Sequence, residues 1–520
     1  MFLYIDWSFV MEQNNKLSMS RRHFVGVASI LGASLGLAAC GQSEQAAPEK
    51  KPEEAKEKSA EATKPAEEKK EGAGLQDEYD LVVVGAGGAG LSTAISAFDA
   101  GVKNICVLEK MGVVGGNSNF ATSGMNASET KYQKEQGIED SNVLFADETF
   151  KGGHELGNRE LVDFMCQHSA GAIDWLAENG IVLDNLTQTG GMSVKRCHRP
   201  TDGAAVGGVL IKGLKAAMEK RSLPIFDEHK VTKLVKEGDS VNGLEVETKE
   251  GKKTIKAKAI VLAAGGLGSN QEMIKKYRPD LEGYVSTNHA GATGDGYVLG
   301  EEAGAELIQM DQIQIHPTVE QSSAKLIGEA LRGSGGILVN KEAKRFTNEM
   351  DTRDKVSAAE LKQPEKIVYL IFDQKVYDAN KAAAKYEKAG ITKKGTDLAD
   401  LAKQLELDPT TLQATVDAYN EVAGGKADEF GRTTGLAQLD FGTAYAIQVA
   451  PGIHHAMGGI KINDKNQALD KDNNPIKGFY AAGEVTGGIH GGNRIGGNAI
   501  CDIVVFGKNT GEQVAKFLKA

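Results

Sequence analysis

A glycine-rich turn between two apolar segments constrains this chain more than any other feature of its sequence. Residues 79–109 read YDLVVVGAGGAGLSTAISAFDAGVKNICVLE, which predicts a strand, a turn, an amphipathic helix and a second strand. Gly85 permits the tight turn, Gly87 lets backbone N–H groups approach a pyrophosphate, and Gly90 lets helix and strand touch. Glu109 is placed to accept from a ribose hydroxyl. The segment predicts a dinucleotide-binding fold; the alternative is a glycine-rich turn that binds no ligand.

Segments further along the chain indicate which dinucleotide is bound. Small and amide residues recur at 115–118 (GGNS) and 123–126 (SGMN), a set that a nicotinamide site does not need. Two apolar segments that end in glycines, KAIVLAAGG at Gly266 and GFYAAGEVTGG at Gly488, suit a long ligand that passes several loops of one sheet. Each segment alone is also compatible with an ordinary strand and turn. Together they predict FAD, in an α/β protein with a Rossmann-like FAD-binding domain.

The charge and the cysteines of the chain exclude other classes of function. With 60 Lys and Arg against 71 Asp and Glu, the net charge of −11 does not supply the basic field that binding to a phosphate backbone needs. We therefore expect no nucleic-acid partner. The five cysteines lie far apart without a C-x-x-C pair, which gives no zinc cage and no C-x-x-C-H haem site. Another chain would have to carry any metal or haem.

The first forty residues are predicted to be an export signal. Residues 19–40 read MSRRHFVGVASILGASLGLAAC, in which two arginines precede an apolar stretch that is short for a membrane span. This pattern resembles a twin-arginine signal, and the final LAAC resembles the site where a peptidase cuts and a cysteine receives lipid. We expect residues 1–40 to be a twin-arginine lipoprotein signal and Cys40 to anchor an extracytoplasmic protein to a membrane. The alternative is an N-terminal anchor that stays attached.

Residues 41–76 are predicted to be a disordered tether. They are rich in Glu, Lys, Ala and Pro and contain no aromatic residue, so they cannot bury enough apolar surface to offset the entropy lost on ordering. A flexible chain of this length spans roughly 35 Å, enough for an anchored body to reach a membrane electron donor. The alternative is a solvated helix of Glu and Lys pairs. The rest of the chain exceeds one usual core, which predicts two domains.

From about Tyr79 to the C-terminus, a series of motifs resembles one family. The motifs are GAGGAG, VVGGNSNFATSGMNA, TNHAGATGDG, IHPT, EALRGSGGILVN, TRDKVSAA, HHAMGG and AAGEVTGGIHGGNRIGGNAI. They are similar to those of the soluble, extracytoplasmic fumarate reductase flavoproteins of the flavocytochrome c type, within the succinate dehydrogenase and fumarate reductase flavoprotein superfamily. The resemblance implies that an α+β capping domain, residues 311–455, is inserted between two parts of the FAD-binding domain, residues 77–310 and 456–520.

The resemblance also implies that FAD is bound without a covalent bond. The segment VVGGNSNFATSG contains no histidine, the residue to which membrane-complex relatives attach FAD. The candidate FAD-binding set combines the glycine turn with the small and amide residues after it and with positions on later loops. Its members are Gly85, Gly87, Ala89, Gly90, Glu109, Lys110, Gly116, Asn117, Ser118, Ser123, Gly124, Val231, Ala264, Gly265, Asp295, Glu484, Ala499 and Ile500.

By the same resemblance, six side chains carry the chemistry. Those that would hold the substrate carboxylates are His316, His455 and Arg494. Those that would supply a proton are Arg353 as the donor, with Glu329 and Arg332 as the relay from solvent. Independently of the family, guanidinium groups match carboxylates bidentately, and a closed site strengthens each contact, so the charges predict an anionic substrate.

The implied reaction is the reduction of the C=C bond of an α,β-unsaturated carboxylate, with fumarate to succinate in anaerobic respiration as the first expectation. Reduced flavin would give hydride to one carbon, and Arg353 would protonate the other. Because arginine holds its proton at ordinary pH, the resemblance implies that Arg353 is deprotonated only briefly and regains its proton through Glu329. Glu329 and Arg332 are three residues apart, so a proton can pass between them on a helix.

Each candidate also has a purely structural explanation. His316 precedes Pro317 and is compatible with capping a loop, and only one of His454 and His455 can point into a site from an extended strand. Arg353, in DTRDK, is compatible with a surface ion pair. Arg494 is harder to explain structurally, because the glycines of GGNRIGG leave room for a ligand. The remaining histidines, including His198 and His490, are assigned structural roles.

One departure from the family pattern bears on the substrate. The family has Thr before the relay glutamate, where its hydroxyl meets a substrate carboxylate, whereas this chain has Gly328. Relatives reduce urocanate, cinnamates, acrylate or methacrylate on the same scaffold, so these remain alternative substrates. The chain also lacks the extra electron-transfer domain of some relatives, which implies a separate electron donor.

Two other functions remain open at the level of the sequence. The flavin could run in the opposite direction, as in a dehydrogenase or oxidase. Alternatively, the chain could be a lipid-anchored binding or sensing protein that contains FAD and does not turn over a substrate.

Overall fold

The computed structural model describes residues 74–520. The predicted signal, including Cys40, and nearly all of the predicted tether lie outside the described residues. Within residues 74–520, no helix is long and apolar enough to cross a membrane.

The described chain alternates strands and helices. The strands are β1 Glu78–Val84, β2 Ile105–Leu108, β3 Met125–Asn126, β4 Asn185–Thr187, β5 Cys197–Arg199, β6 Ile225–Phe226, β7 Lys230–Glu237, β8 Ser240–Thr248, β9 Gly251–Leu262, β10 Leu307–Ile308, β11 Ile313–Glu320, β12 Lys325–Leu326, β13 Ile337–Asn340, β14 Val368–Asp373, β15 Lys393–Gly395, β16 Ala444–Ala456, β17 Gly459–Ile460, β18 Gln467–Leu469 and β19 Pro475–Ala481.

The helices include one long C-terminal helix and fourteen shorter ones. They are α1 Gly88–Asp99, α2 Lys131–Glu135, α3 Asn142–Gly152, α4 Arg159–Gln167, α5 Ser169–Glu178, α6 Val206–Lys220, α7 Gln271–Tyr277, α8 Asp295–Glu302, α9 Ala330–Gly333, α10 Arg353–Glu360, α11 Gln374–Ala379, α12 Lys381–Lys388, α13 Leu398–Gln404, α14 Pro409–Ala423 and α15 Asn498–Lys519.

The largest sheet has eight strands and confirms the predicted α/β class. Its order is β18-β19-β8-β9-β1-β2-β6, with β7 paired to β8. β1 runs parallel to β2 and to β9, as the predicted β-α-β unit requires. The two later glycine-ended segments are β9 and β19, which pair in parallel at Ile260 and Phe479. The carboxyl ends of β1, β9 and β19 therefore meet at one edge, where open α/β sheets bind ligands.

The glycine turn after β1 is built as the sequence predicts. Gly85 has a φ of 107°, a backbone angle that residues with a side chain rarely adopt. A Cβ atom at Gly90 would overlap the carbonyl oxygen of Gly85, so this glycine fixes the contact between α1 and the turn. At Gly87 the backbone is extended, and the nearest atom to an added Cβ would be 3.9 Å away. Packing within the protein therefore does not require a glycine at position 87.

A second sheet and a second core occupy the middle of the chain. Six antiparallel strands form it in the order β12-β11-β16-β14-β13, with β15 paired to β16. Its hydrophobic cluster draws only on residues between Ile327 and Val449, whereas the main cluster uses the flanking parts of the chain. This core lies within the range predicted for the capping domain, whose boundaries stay a prediction.

The chain enters and leaves the second core through two neighbouring strands. β11 and β16 are antiparallel, with Ile313 opposite Ala456 and Gln314 opposite His455. The register shifts between Gln314 and Ile315 and again after His316, at the Pro317 that cannot donate to the ladder. Such irregularities redirect side chains, and here they occur at predicted site residues.

We expect Gly87→Ala and Gly90→Ala to separate ligand binding from folding. An Ala at position 87 has room in the protein but places a methyl group where a pyrophosphate would approach, so FAD affinity falls at least tenfold while the free energy of unfolding of the apoprotein changes by less than about 0.5 kcal/mol. An Ala at position 90 overlaps backbone and lowers that free energy by about 3 kcal/mol. FAD fluorescence titration and urea unfolding measure the two effects. Equal losses of stability in both variants would contradict this assignment.

Candidate active site

A cleft of about 880 Å³ runs along the edge where β1, β2, β9 and β19 end. It begins at the glycine turn, where α1 starts at Gly88 and the Gly88 N–H donates to Ser118 Oγ at 3.1 Å. Most of the candidate FAD-binding residues line it: Gly85, Gly87, Ala89, Glu109, Lys110, Gly116, Asn117, Ser118, Val231, Ala264, Gly265, Asp295 and Glu484. A helix N-terminus at one end and a mainly apolar lining that includes several polar side chains fit a dinucleotide.

Five candidates lie away from the lining of this cleft. Gly90 packs under the turn, and Ser123 Oγ lies 3.3 Å from Cys197 Sγ. Gly124 packs against the carbonyl of His198. Ala499 and Ile500 lie in the first turn of α15, and Ile500 is buried. The assignment of these five residues to the cofactor stays a prediction.

The acid at the end of β2 is held by backbone donors. The two Glu109 carboxylate oxygens accept from the N–H groups of Ala86 at 3.0 Å and Met111 at 2.9 Å. Each carboxylate oxygen has a second lone pair, so Glu109 retains the capacity to accept from a ribose hydroxyl. Beside it, Lys110 and Asp295 form an ion pair at 2.9 Å across the cleft lining.

An amide and a carboxylate join the cofactor cleft to the second sheet. Asn117 Nδ2 donates to Asn288 Oδ1 at 2.7 Å and to Glu484 Oε2 at 3.2 Å. The other oxygen of Glu484 accepts from the N–H of Ala456, the last residue of β16, at 3.1 Å. The residue before Ala456 is His455. One of the predicted substrate-binding residues, His455, is therefore the chain neighbour of a residue that contacts the lining of the cleft.

Two buried arginines, a buried glutamine and a half-buried glutamate form a cluster at this junction. Arg353 Nε donates to Glu329 Oε1 at 2.7 Å, and its Nη1 donates to Gln314 Oε1 at 3.0 Å. Arg494 Nη2 donates to the same oxygen of Gln314 at 3.2 Å. Arg353 and Arg494 are only 8 % and 4 % exposed, so solvent screens their attraction for an anion weakly. The structure thus brings Arg353, Glu329 and Arg494 together, and their roles stay a prediction.

Burial and neighbouring charges set the ionisation of this cluster. Burial, reinforced by Arg353, lowers the pKa of Arg494 to about 9. Burial acts to raise the pKa of Glu329, but the charges of Arg353 and Arg332 outweigh it and hold that pKa below its ordinary value. At neutral pH, Arg494 is therefore a cation and Glu329 an anion.

The histidines of the site are neutral. Burial lowers the pKa of His316, His454 and His455 well below the ordinary value, and the nearby arginines add to the effect. The Thr318 N–H donates to His316 Nδ1 at 3.2 Å, which leaves the proton of the neutral ring on Nε2, 3.8 Å from Glu329 Oε1. This geometry makes His316 a hydrogen-bond donor through Nε2.

The adjacent histidines of β16 have different neighbours. His454 Nδ1 lies 2.7 Å from Thr287 Oγ1, and the His454 ring meets the ring of His316. His455 instead meets the ring of His490 edge-on at 5.4 Å, and its Nδ1 has no hydrogen-bond partner among residues 74–520. His455 therefore keeps a ring nitrogen available for a ligand.

The histidines that the sequence analysis assigned to structure are held by the protein. His490 Nε2 pairs with Asp502 Oδ2 at 3.1 Å, and both residues are buried. His198 Nε2 lies 2.8 Å from Thr130 Oγ1, and its Nδ1 lies 2.7 Å from the carbonyl of Arg196.

The predicted relay pair meets across one helical turn. Arg332 Nη2 lies 3.9 Å from Glu329 Oε1, as the three-residue spacing predicts for a helix. Arg332 Nη1 donates to the carbonyl of Glu349 at 2.6 Å. Burial lowers the pKa of Arg332, which makes its proton easier to release.

Sequence reasoning did not identify Gln314 and Thr122. Gln314 connects both arginines, yet an uncharged amide gives no electrostatic signal in a sequence; its position two residues before His316 on a strand was the available hint. Thr122 Oγ1 lies 3.6 Å from the point that a Cβ atom at Gly328 would occupy. A hydroxyl from another segment therefore stands close to the family's threonine position.

Comparisons with known proteins identify the family of this chain. A family model described as "FAD binding domain" matches residues 80–500. The chain is 49 % identical over 441 residues to an NADH:fumarate oxidoreductase of Klebsiella pneumoniae (strain 342), covering 84 % of this chain and 48 % of that protein. It thus spans about half the length of that relative. It is 43 % identical over 446 residues to a fumarate reductase (cytochrome) of Shewanella frigidimarina, covering 85 % and 78 % of the two chains.

A solved structure gives the same assignment. The open conformation of a flavocytochrome c3 fumarate reductase matches with a TM-score of 0.73 and 41 % sequence identity, over 86 % of this chain and 80 % of that one. The family model, the solved structure and the glycine cleft all indicate a protein that binds FAD as its cofactor. The chain belongs to the FAD-binding-domain family, within the superfamily of succinate dehydrogenase and fumarate reductase flavoproteins.

Proposed function

We propose that this protein is an FAD-dependent reductase of the C=C bond of an α,β-unsaturated carboxylate, with fumarate as substrate and succinate as product. The observation that carries the proposal is the buried cluster in which Arg353 and Arg494 share the oxygen of Gln314, while Glu329 lies 2.7 Å from Arg353. This cluster adjoins the cofactor cleft through Glu484 and Ala456.

The proposed substrate site holds a dianion by charge and by neutral donors. Arg494 supplies a buried cation whose Nε has no hydrogen-bond partner in the described chain. The Nε2–H of neutral His316 and a ring nitrogen of His455 add donors that carry no further charge. Carboxylates fixed by such donors draw electron density from the alkene, which makes it a better hydride acceptor.

Bound FAD, when reduced, supplies hydride to one alkene carbon. Arg353 donates the proton to the other carbon, because its guanidinium lies in the substrate cluster and is joined to a carboxylate that can restore the proton. Glu329 carries that proton only transiently, since its lowered pKa makes the anion the resting form. The absence of histidine from the segment VVGGNSNFATSG supports noncovalent binding of FAD.

We expect Arg353→Ala to abolish turnover while the protein stays folded. Loss of the proton donor lowers kcat for fumarate by about 10³-fold or more, measured by oxidation of dithionite-reduced methyl viologen. Lys355→Ala is the matched control, because Lys355 lies on the same helix with its side chain 62 % exposed.

The panel of enoates that tests the alternative functions includes urocanate, methacrylate and cinnamate. Tight binding of fumarate to the wild-type protein without viologen oxidation would instead establish a sensor, and no oxidation with any enoate would favour a dehydrogenase or oxidase.

The space around Gly328 bears on substrate choice. A Cβ atom there would meet Thr122 and Tyr386 at 3.6–3.8 Å, ordinary van der Waals contact. The site therefore has room that a threonine would fill, which is why urocanate, acrylate or methacrylate, and cinnamate remain the second candidates. Thr122 supports fumarate as the first candidate, because its hydroxyl lies near the position that the family's threonine would occupy at residue 328.

We expect Gly328→Thr to fold normally and to sharpen the preference for fumarate. One added hydrogen bond lowers KM for fumarate by about fivefold, and the lost space raises KM for cinnamate. Gly328→Ala, which adds the methyl group without the hydroxyl, is the control and leaves KM for fumarate unchanged. Steady-state kinetics with both substrates measure the effect; equal changes in Thr and Ala variants would exclude the role of the hydroxyl.

We further propose that the protein works outside the cytoplasm in anaerobic electron transport, anchored through lipid on Cys40. The twin-arginine pattern, the LAAC sequence and the polar segment 41–76 support this location. A twin-arginine route carries folded proteins, so FAD would be loaded before export. The electron donor is a separate protein, either a cytochrome or a quinol-linked protein.

We expect Cys40→Ala to release the protein from the membrane fraction without changing its specific activity. The lipid is attached to the thiol of Cys40, whereas the described fold begins after the tether. Mass spectrometry of the wild-type N-terminus and fractionation of cells check both points. An unmodified Cys40 in the mature protein would exclude the lipid anchor.

A further inference from the structure

Unpaired polar atoms line one face of α10. Arg353, Ser357 and Glu360 follow the i, i+4, i+7 spacing that places side chains on the same face of a helix, and all three residues are buried. The Ser357 hydroxyl and both carboxyl oxygens of Glu360 have no hydrogen-bond partner among the described residues. Glu360 is 0 % exposed. An unpaired carboxyl group in that position costs stability, so its presence requires an explanation.

The same region contains unpaired donors. Arg332 is 2 % exposed, and its Nε and Nη2 have no hydrogen-bond partner in the part of the chain that the structure covers. Arg332 and Glu360 act on each other electrostatically, although they form no direct ion pair within 4 Å. Buried polar groups are nearly always hydrogen-bonded, and water fills the gap where protein atoms do not.

We infer that Glu360 is a proton-relay residue that follows Arg332, connected to it by buried water and the Ser357 hydroxyl. This inference rests on the proposed function, because it extends the path that restores the proton of Arg353. It assigns a role to a residue that neither the charge pattern nor the motifs of the sequence single out.

The direction of α10 fits a path from the substrate to the surface. Seven residues separate Arg353 from Glu360, roughly 10 Å along a helix axis. Arg353 begins the helix at the substrate cluster, and Glu360 ends it. The chain that follows is exposed at Lys362 and at residues 364–366. Glu360 thus stands between the interior relay and the solvent at the outer end of the helix.

The path balances its protons without any further reagent. Arg353 gives one proton to the substrate carbon and receives one through Glu329. Arg332 restores the proton of Glu329, and the carboxyl group of Glu360 restores that of Arg332 through water. Because Glu360 is buried, a proton from solvent would reach its carboxylate only through the buried water, and one proton then enters for each proton that the product gains.

The pKa values of the two carboxyl groups of the path are shifted in opposite directions. Burial raises the pKa of Glu360 well above its ordinary value, and the opposing charge of Arg332 is too weak to cancel this. Glu329 has a lowered pKa instead. The charged groups around the inner part of the path are Arg332, Arg353 and Glu349. A carboxyl group that is protonated at neutral pH can act as a donor, and one that is ionised can act as an acceptor.

The test compares three variants of Glu360 in the FAD-loaded full chain. Glu360→Gln keeps the shape and removes the acid, Glu360→Leu removes all polarity, and Glu360→Asp keeps an acid on a shorter stem. Glu342→Gln is the control, because Glu342 belongs to the same part of the chain and its side chain is 58 % exposed. The measurements are kcat and KM for fumarate with reduced methyl viologen, the solvent deuterium isotope effect, the melting temperature, and the infrared band of a protonated carboxyl group.

We expect Glu360→Gln and Glu360→Leu to lower kcat by about tenfold and to raise the solvent isotope effect, with KM unchanged because Glu360 does not touch substrate. Glu360→Leu melts at a higher temperature than the wild-type protein, since it removes the cost of burying a carboxyl group to which no described protein atom gives a hydrogen bond. A merely structural role would not produce slower turnover together with higher stability. Glu360→Asp recovers part of kcat, and the carboxyl infrared band at pH 7 disappears in Glu360→Gln.

Two results would overturn the relay, and they differ from a failure of the proposed function. If the wild-type protein reduces fumarate and the Gln and Leu variants keep its kcat and isotope effect, Glu360 has no part in the path. An infrared band that persists in Glu360→Gln would show that Glu360 is ionised. If the wild-type protein reduces no enoate at all, the proposed function fails and the relay fails with it. Should Glu360→Gln not fold, Glu360→Leu alone decides.

Discussion

The contact between Arg353 and Glu329 is the interaction on which the site depends. It joins the start of α10 to the turn before α9, both in the second core. A Cβ atom at Gly496 would come within 2.7 Å of Glu329 Oε2 and 3.2 Å of Arg353 Nη2. The ion pair therefore packs directly against a glycine of the GGNRIGG loop that carries Arg494. A side chain larger than hydrogen at position 496 would displace the Glu329 carboxylate and the Arg353 guanidinium from their present contact.

Electrostatic interactions then give the groups of the site different protonation states. Burial, with the nearby arginines adding to its effect, lowers the pKa of His316 and His455, so these imidazoles remain neutral donors. Glu329 stays ionised because the charges of the Arg353 and Arg332 guanidinium groups outweigh the effect of burial on its pKa. The positive charge of the site is thus concentrated on arginines, whose planar donors suit carboxylates.

Much of the fold follows from local sequence patterns. The turn at Gly85 and Gly90, the parallel strands around it and the return of β9 and β19 to one sheet were all predictable, because each is set by spacing and by glycine sterics over a short stretch. The contact of Glu329 with Arg332 was predictable for the same reason. The meeting of Gln314 with Arg353 and Arg494 was not, since it depends on three distant segments and on register shifts in β11.

Other features of the site depend on packing that no motif encodes. The burial of Glu360 follows from the helix face that it occupies. From the sequence, a single glutamate in a polar helix would be predicted to be exposed to solvent. The place of Thr122 beside Gly328 depends on how the loop after the cofactor segment meets β12. Family resemblance indicated which residues carry the chemistry, whereas distances and burial were needed to relate them to one another.

The pairing of β11 with β16 has a mechanical consequence. The chain passes between the two cores twice, once at β11 and once at β16, and these two strands lie side by side. A hinge between the cores would therefore have its axis at this strand pair. Gln314 and His455 belong to this strand pair and would move little during such a rotation. Arg353 and Glu329 lie off the axis and would swing with the second core. Opening the protein would thereby withdraw the proton donor from the product while the anion-holding groups stay in place.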